Sequence, residues 1–196
     1  MKLHTYKTYE EYVAVQIRGN KANADGQWCE EDEIKFLSEY LMDNYDELKF
    51  GICHGSKQGN EQKWFKKYTK SDMIGTDITD VAKKHPNTIQ WDFHEVKSEW
   101  VSNVDFIYSN AFDHSYKPKE CLKAWMSCVK KGGCCILEWS TGHGEQASSR
   151  LDPFGASVEE YRDLIVECGF YMKEILKMTT ELRGEKTFLI IEHPKG

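Results

Sequence analysis

The sequence predicts an α/β fold in which a mostly parallel sheet is covered by helices on both faces and closed by an antiparallel hairpin. Three observations carry that prediction. From residue 30 onward, short apolar runs alternate with stretches whose apolar residues recur at helical spacing. The connection between the first two runs contains a helix, and a crossover of that length joins parallel strands. The last two runs, Tyr171 to Met178 and Thr187 to Glu192, are separated only by T-T-E-L-R-G-E-K, a link that suits a hairpin.

Residues 1–29 are polar and aromatic, with a strand-like patch from Tyr12 to Ile17 and a turn-rich R-G-N-K-A-N-A-D-G-Q-W. They read either as an ordered cover over a binding site or as a flexible arm. Residues 30–196 form the expected domain. Ile34, Leu37, Leu41, Tyr45 and Leu48 make a helical stripe that packs on the sheet. A first strand beginning at Lys49 leads into the loop H-G-S-K-Q-G-N. A helix starting near Asn60 then carries Trp64, Phe65 and Tyr68, and a second strand runs from Met73 to Thr76. The third strand, T-I-Q-W-D, ends at Asp92, and the fourth spans Val104 to Tyr108. Pro118 opens a helix whose Leu122, Trp125, Met126 and Val129 share a face, with Lys130, Lys131, Gly132 and Gly133 expected to stop it. C-C-I-L-E-W is an almost continuous apolar run, suited to the centre of a sheet. Residues 140–156 have neither helical nor strand periodicity, and such loops in compact domains are usually functional. Ser157 and Glu160 make a capping box for a helix with Val158, Tyr161, Leu164, Ile165 and Cys168 on one face and Gly169 at its end.

The bulk composition narrows the function classes. With 26 Lys+Arg against 32 Asp+Glu, a formal net charge of −6, a general nucleic-acid-binding surface is disfavoured. The seven cysteines show neither CxxC nor Cys/His ligand spacing, so buried reduced thiols are expected rather than disulfides or a structural zinc. Neither a leader segment nor a membrane-length apolar window is apparent, which makes a cytoplasmic location the default and a membrane partner unexpected.

The stretch from Lys49 to Asp77 carries the chemistry. A glycine turn between strand and helix lets a ligand approach the backbone, and the helix start offers unpaired N–H donors. Asp77 closes the next strand roughly twenty residues after Gly55, the distance at which an acid meets a ribose diol. Asp77 also precedes I-T-D, so a helix N-cap is the other role open to it. A nucleoside-bearing cofactor is the ligand this pattern suits.

Taken with the terminal hairpin, the order of elements resembles the class I S-adenosylmethionine-dependent methyltransferases over residues 30–193, nearly the whole chain. The resemblance implies a three-layer, Rossmann-like αβα sandwich with a seven-stranded sheet, and S-adenosyl-L-methionine as cofactor. The family's first motif, an acid followed by G-x-G-x-G, maps onto Cys53, Gly55, Lys57 and Gly59, with His54 inside the loop. Cys53 stands where an acid is usual and Lys57 where a glycine is usual. Glu61 or backbone groups are then the candidate substitutes for the missing carboxylate. By the same resemblance, Asp77 with Ile78 contacts the ribose, and Asp92 accepts from the adenine amino group while Phe93 lies against the base. Asn110 and Ala111 form the floor under the methyl group. A carboxylate suits the adenine contact because it only accepts.

Methyl transfer to a hydroxyl or ammonium also needs a proton acceptor, and His114 and His143 lie in the loops after the fourth and fifth strands beside Asp113 and Glu145, which are placed to orient them. No spacing demands a metal. The acceptor is expected to be a small molecule, since only the N-terminal segment and residues 140–156 lie beyond the core. Trp28, Phe112, Tyr116, Trp139 and Phe154 are the aromatics available to line its pocket. A monomer or homodimer is expected. Two other readings stay open: a nicotinamide-dependent oxidoreductase, whose G-x-G-x-x-G is absent here, and a binding protein that has kept the cofactor site and lost catalysis.

Overall fold

A computed structural model describes residues 1–23 and 26–194. In chain order the elements are β1 (Lys2–Leu3), α1 (Tyr9–Ala22), α2 (Glu31–Asn44), β2 (Phe50–His54), α3 (Asn60–Thr69) and β3 (Asp72–Asp77). They continue with β4 (Thr88–Gln90), β5 (Val104–Ser109), α4 (Pro118–Cys128), β6 (Val129–Trp139), β7 (Phe154–Gly155), α5 (Val158–Glu167), β8 (Tyr171–Thr180) and β9 (Gly184–Glu192). Seven strands form one sheet in the order β4-β3-β2-β5-β6-β9-β8, and β1 pairs separately with β7. Strands β2 to β6 run parallel, with Ile52 opposite Ile74 and Ile107, whereas β9 runs antiparallel between β6 and β8.

The sheet is held by two apolar layers. On one face α2 and α3 press Ile34, Leu37, Leu41 and Phe65 against Phe106, Ile136 and Ile190. On the other, α4 and α5 bring Leu122, Trp125, Tyr161 and Ile165 onto Ile52, Ile107 and Leu137. Each α2 residue named lies three or four positions from the next, which is why one side of the helix is wholly buried. The chain winds outward from β2 through β3 to β4, then returns to place β5 on the other side of β2. That reversal opens a crevice at the carboxyl ends of β2 and β5, the place where open α/β sheets receive ligands.

The sequence expectations for the sheet hold in number and direction of strands, and the differences are local. Residues 9–22 form a helix where a strand-like patch was expected. Thr8 accepts from the Glu11 backbone N–H at 3.2 Å, capping its first turn. Tyr45 caps α2, which ends at Asn44, and Leu48 lies beyond it. The α4 helix stops before Val129, not at the glycines, because Val129 turns to extended backbone and pairs with Val104. Lys130 to Gly133 thus belong to β6, where a register shift against β5 accommodates them. β4 is short, so Asp92 stands beyond its end. Among the described residues the seven cysteines are unpaired, six of them buried. No helix among these residues is long and apolar enough to cross a membrane.

Candidate active site

A cavity of about 560 Å³ occupies the crevice, and α1 lies across it. Its wall combines the loops after β2, β3, β5 and β6 with one side of α1 and the tip of the β8–β9 hairpin. This volume is within the usual range of small-molecule sites, about 300–1,000 Å³.

The loop after β2 is shaped by backbone demands. Gly55 has φ +73°, and a Cβ there would lie 2.5 Å from the Ala111 side chain, so the two loops meet only because this residue has none. Lys57 holds φ 45°, the left-handed region that glycine prefers. Its ammonium donates to the carbonyls of Asn23 and Gly26, the latter at 3.2 Å, tying the segment after α1 to the loop. Three residues expected at the cofactor do not line the cavity. The alternation of β2 sends Cys53 into the layer under α2 and α3 and His54 into the opposite one. His54 stacks on Trp125 at 4.6 Å and bonds Thr76 Oγ1 at 2.8 Å. Burial pushes its pKa down to about 3, so it is a neutral packing residue. Gly59 precedes α3 and packs against Gln62 and Thr88.

Three carboxylates line the cavity around this loop. Glu61 is buried. Its Oε1 accepts from Gln27 at 3.3 Å and Asn110 at 3.5 Å, while Oε2 is buried without a hydrogen-bond partner. Burial pushes its pKa up to about 7. Asp77, beside Ile78, accepts from the Thr79 backbone N–H at 2.8 Å and hydroxyl at 2.7 Å, an Asx turn closing β3. The Asn20 amide of α1 donates to both Asp77 oxygens, at 3.1 and 2.9 Å, leaving Asn20 Oδ1 buried and unpartnered. Asp92, beside Phe93, accepts from the Tyr9 hydroxyl at 2.6 Å and from His94 Nδ1 at 2.7 Å. Burial alone would raise its pKa, but the bonds from His94 and Tyr9 outweigh that and hold the carboxyl below its ordinary value.

At the other end of the cavity stand Asn110, Ala111, Asp113, His114 and His143. Both ring nitrogens of His143 are committed: Nδ1 accepts from the Ser140 N–H at 2.9 Å, so Nε2 carries the proton and donates to the Asn110 carbonyl at 3.1 Å. No lone pair remains to take a proton from a substrate, which removes His143 as a base and makes it the brace of the Asn110 loop. Asp113 does not orient it, since Oδ1 lies 3.9 Å from His143 Nε2 and is buried without a hydrogen bond. His114 is arranged otherwise. Gln16 Nε2 donates to the Leu151 carbonyl at 2.8 Å, which turns Gln16 Oε1 toward His114 Nδ1 at 2.9 Å. The neutral ring therefore carries its proton on Nδ1 and keeps a lone pair on Nε2, 3.5 Å from an Asp152 oxygen.

Of the five aromatics named for the acceptor pocket, Trp28 alone lines the cavity. Its Nε1–H donates to Glu138 at 2.8 Å, and Arg183 and Lys186 lie over the ring at 4.5 and 4.8 Å. Glu138 is itself held by Lys186 and by the Tyr108 hydroxyl at 2.6 Å, all wholly buried. Phe112, Trp139 and Phe154 pack in or against the core, and Tyr116 lies on Tyr12 at 4.4 Å. Sequence reasoning missed Tyr12, Gln16, Asn20 and Asp152. The signal for the first three was the sequence T-x-x-E at Thr8 to Glu11, a helix-start pattern, ahead of Tyr9, Tyr12 and Gln16 at helical spacing.

Comparison of the whole structure with solved ones identifies the architecture. The 1,6-didemethyltoxoflavin-N1-methyltransferase of Burkholderia thailandensis, solved with bound 1,6-didemethyltoxoflavin and S-adenosylhomocysteine, superposes with a TM-score of 0.76 at 12% identity, over 98% of this chain and 93% of that one. The fold is that of the class I methyltransferases. The geranyl diphosphate C-methyltransferase of Streptomyces coelicolor A3(2) shows the same fold at 11% identity, with a TM-score of 0.70 over 97% of this chain and all (100%) of that one. The class I methyltransferase fold also hosts other chemistry, since the cyclase SpnF matches with a TM-score of 0.63 at 8% identity, over 83% of this chain and 82% of that one. No family model and no curated protein sequence matches this chain.

Proposed function

We propose that the protein is an S-adenosyl-L-methionine-dependent methyltransferase acting on a small-molecule acceptor. The observation that carries this reading is a mismatch inside the cavity: Asn20 Oδ1, Glu61 Oε2 and Asp113 Oδ1 are buried acceptors with no donor facing them. Ligands that complete the site must bring hydrogen-bond donors and positive charge. A ribose diol suits Asn20 together with Asp77, and an amino acid ammonium suits Glu61, in place of the acid absent at Cys53. When bound, the cofactor supplies a methyl group activated on a sulfonium, which leaves as a neutral thioether. Asp92 and Phe93 are assigned to the adenine, sharing or exchanging the Tyr9 hydroxyl. Asn110 and Ala111, braced by His143, form the floor beneath the reacting carbon. His114, held in one tautomer by Gln16, takes the acceptor's proton on Nε2, and Asp152 stabilises the imidazolium that results. Residues 1–29 act as a lid through α1.

A nicotinamide dinucleotide is less well served. Its diphosphate would meet a wall of carboxylates, and the two nearby cations, Lys57 and Arg183, are turned to main-chain carbonyls of Asn23, Gly26 and Gln27. The intact Gln16–His114–Asp152 arrangement favours an enzyme over a silent binding protein. Calorimetric titration with S-adenosylhomocysteine tests the assignment: one saturable site is expected, weakened at least about tenfold by Asp77→Ala. Absence of binding by folded protein refutes it.

A further inference from the structure

Resting on the cofactor assignment above, we infer that the acceptor is an amine, bound as an ammonium between Asp113, Asp152 and His114. With Glu61, Asp77 and Asp92 given to the cofactor, these three remain to define the acceptor end. Asp113 is 6% exposed, lines the cavity and leaves Oδ1 without a hydrogen bond. His114 Nε2 and an Asp152 carboxylate oxygen stand 3.5 Å apart, and with the ring neutral both are acceptors. An N–H donor resolves that opposition. One ligand atom from each of Asp113, His114 and Asp152 lies within 4.8 Å of the other two. Acceptors around a tetrahedral ammonium with arms of about 2.8 Å stand roughly 4.6 Å apart, so the cluster is compact enough for one ammonium to reach all three, with His114 and Asp152 opening from 3.5 Å to receive it. Trp28, edge-on to His143 at 5.8 Å, and Tyr12 supply aromatic surface on the same cavity.

The same wall excludes anionic acceptors. Among the described residues lining the cavity, the cations Lys57 and Arg183 donate to carbonyls, and the remaining charge at the acceptor end is carboxylate. A phosphate or carboxylate placed there would meet Asp113 and Asp152 directly. An ammonium is held, gives one proton to His114 Nε2 and becomes a nucleophile. Its freed lone pair forms the N–C bond as the C–S bond breaks, the C–S electron pair staying on the sulfur, and the product is an N-methylated ammonium.

The test uses the full chain saturated with S-adenosylhomocysteine, whose own isotherm is recorded first. Benzylamine, benzyl alcohol and benzoate, alike in size, are then titrated separately. Benzylamine is expected to bind at least about tenfold more tightly than the other two. Asp113→Asn and Asp152→Asn should each remove that preference while leaving the S-adenosylhomocysteine isotherm within about twofold of the parent, which also reports that the variants fold. Equal or tighter binding of benzyl alcohol or benzoate, or no binding of benzylamine, overturns the inference while the cofactor assignment stands. So does saturable uptake of Mn²⁺ that both substitutions abolish, because the cluster would then be a metal site. If S-adenosylhomocysteine itself fails to bind, the cofactor assignment falls and the acceptor assignment with it.

Discussion

Glu61 holds a carboxylate where water hardly reaches, and its two oxygens are unequally served. Because burial lifts its folded pKa to about 7 from an ordinary 4.5, the folded protein keeps a proton there that the unfolded chain has released between those values. Raising the pH through that window therefore weakens the fold. Glu33, pushed up to about 8 by burial and by the neighbouring Glu138, adds to the same trend. Thermal unfolding of the ligand-free protein should show a falling midpoint from pH 5 to pH 8, and Glu61→Gln should flatten part of that fall. The same substitution should weaken S-adenosylhomocysteine about tenfold or more, since a hydrogen bond to a charged partner contributes roughly 1.5–3 kcal/mol. Parent affinity should rise as the pH passes 7, and a pH-independent isotherm would remove Glu61 from the ammonium site. At this scale the sequence was legible where the chemistry is one residue deep: Asp77, Asp92 and Asn110 all reach the cavity. It was not legible at Cys53 and His54, because β2 is covered on both faces and either side of it is core, so the cavity is reached only past the strand's end at Gly55.

The element that most alters the reading is α1. The sheet strands could be recognised because strands covered on both faces are almost unbroken apolar runs. Helix α1 hid for the opposite reason. Its inward side faces a polar cavity instead of the core, so Gln16, Gly19 and Asn20 occupy positions where a core helix would carry leucines. Gly19 lets α1 lie close to Leu151, whose side chain would have to turn aside for a Cβ at this position. Through Asn20 and Tyr9 the helix occupies both carboxylates assigned to the nucleoside. Tyr9→Phe releases Asp92, and S-adenosylhomocysteine should then associate several-fold to about tenfold faster. Stopped-flow tryptophan fluorescence measures this, and an unchanged association rate would show that α1 does not compete for the site.

In the whole molecule, two segments far apart in sequence form one cover. β1 pairs with β7, His4 N–H donates to the Pro153 carbonyl at 2.8 Å, Gln16 holds the Leu151 carbonyl, and Glu11 pairs with Arg150 at 2.6 Å. The N-terminal segment and residues 140–156 are therefore joined by both backbone pairing and side chains. Their union was not readable from the chain, since no local pattern links residues so distant. Because α1 and this loop both border the cavity, the lid proposed above would have to move as one piece for a ligand to pass beneath it. The consequence is kinetic. A catalyst closed by a flap of this size spends its cycle waiting for the flap to swing through solvent, so departure of the thioether, and not bond making, should limit turnover. Steady-state turnover should then slow in proportion to the viscosity of added sucrose, and a rate indifferent to viscosity would place the bottleneck back in the chemistry.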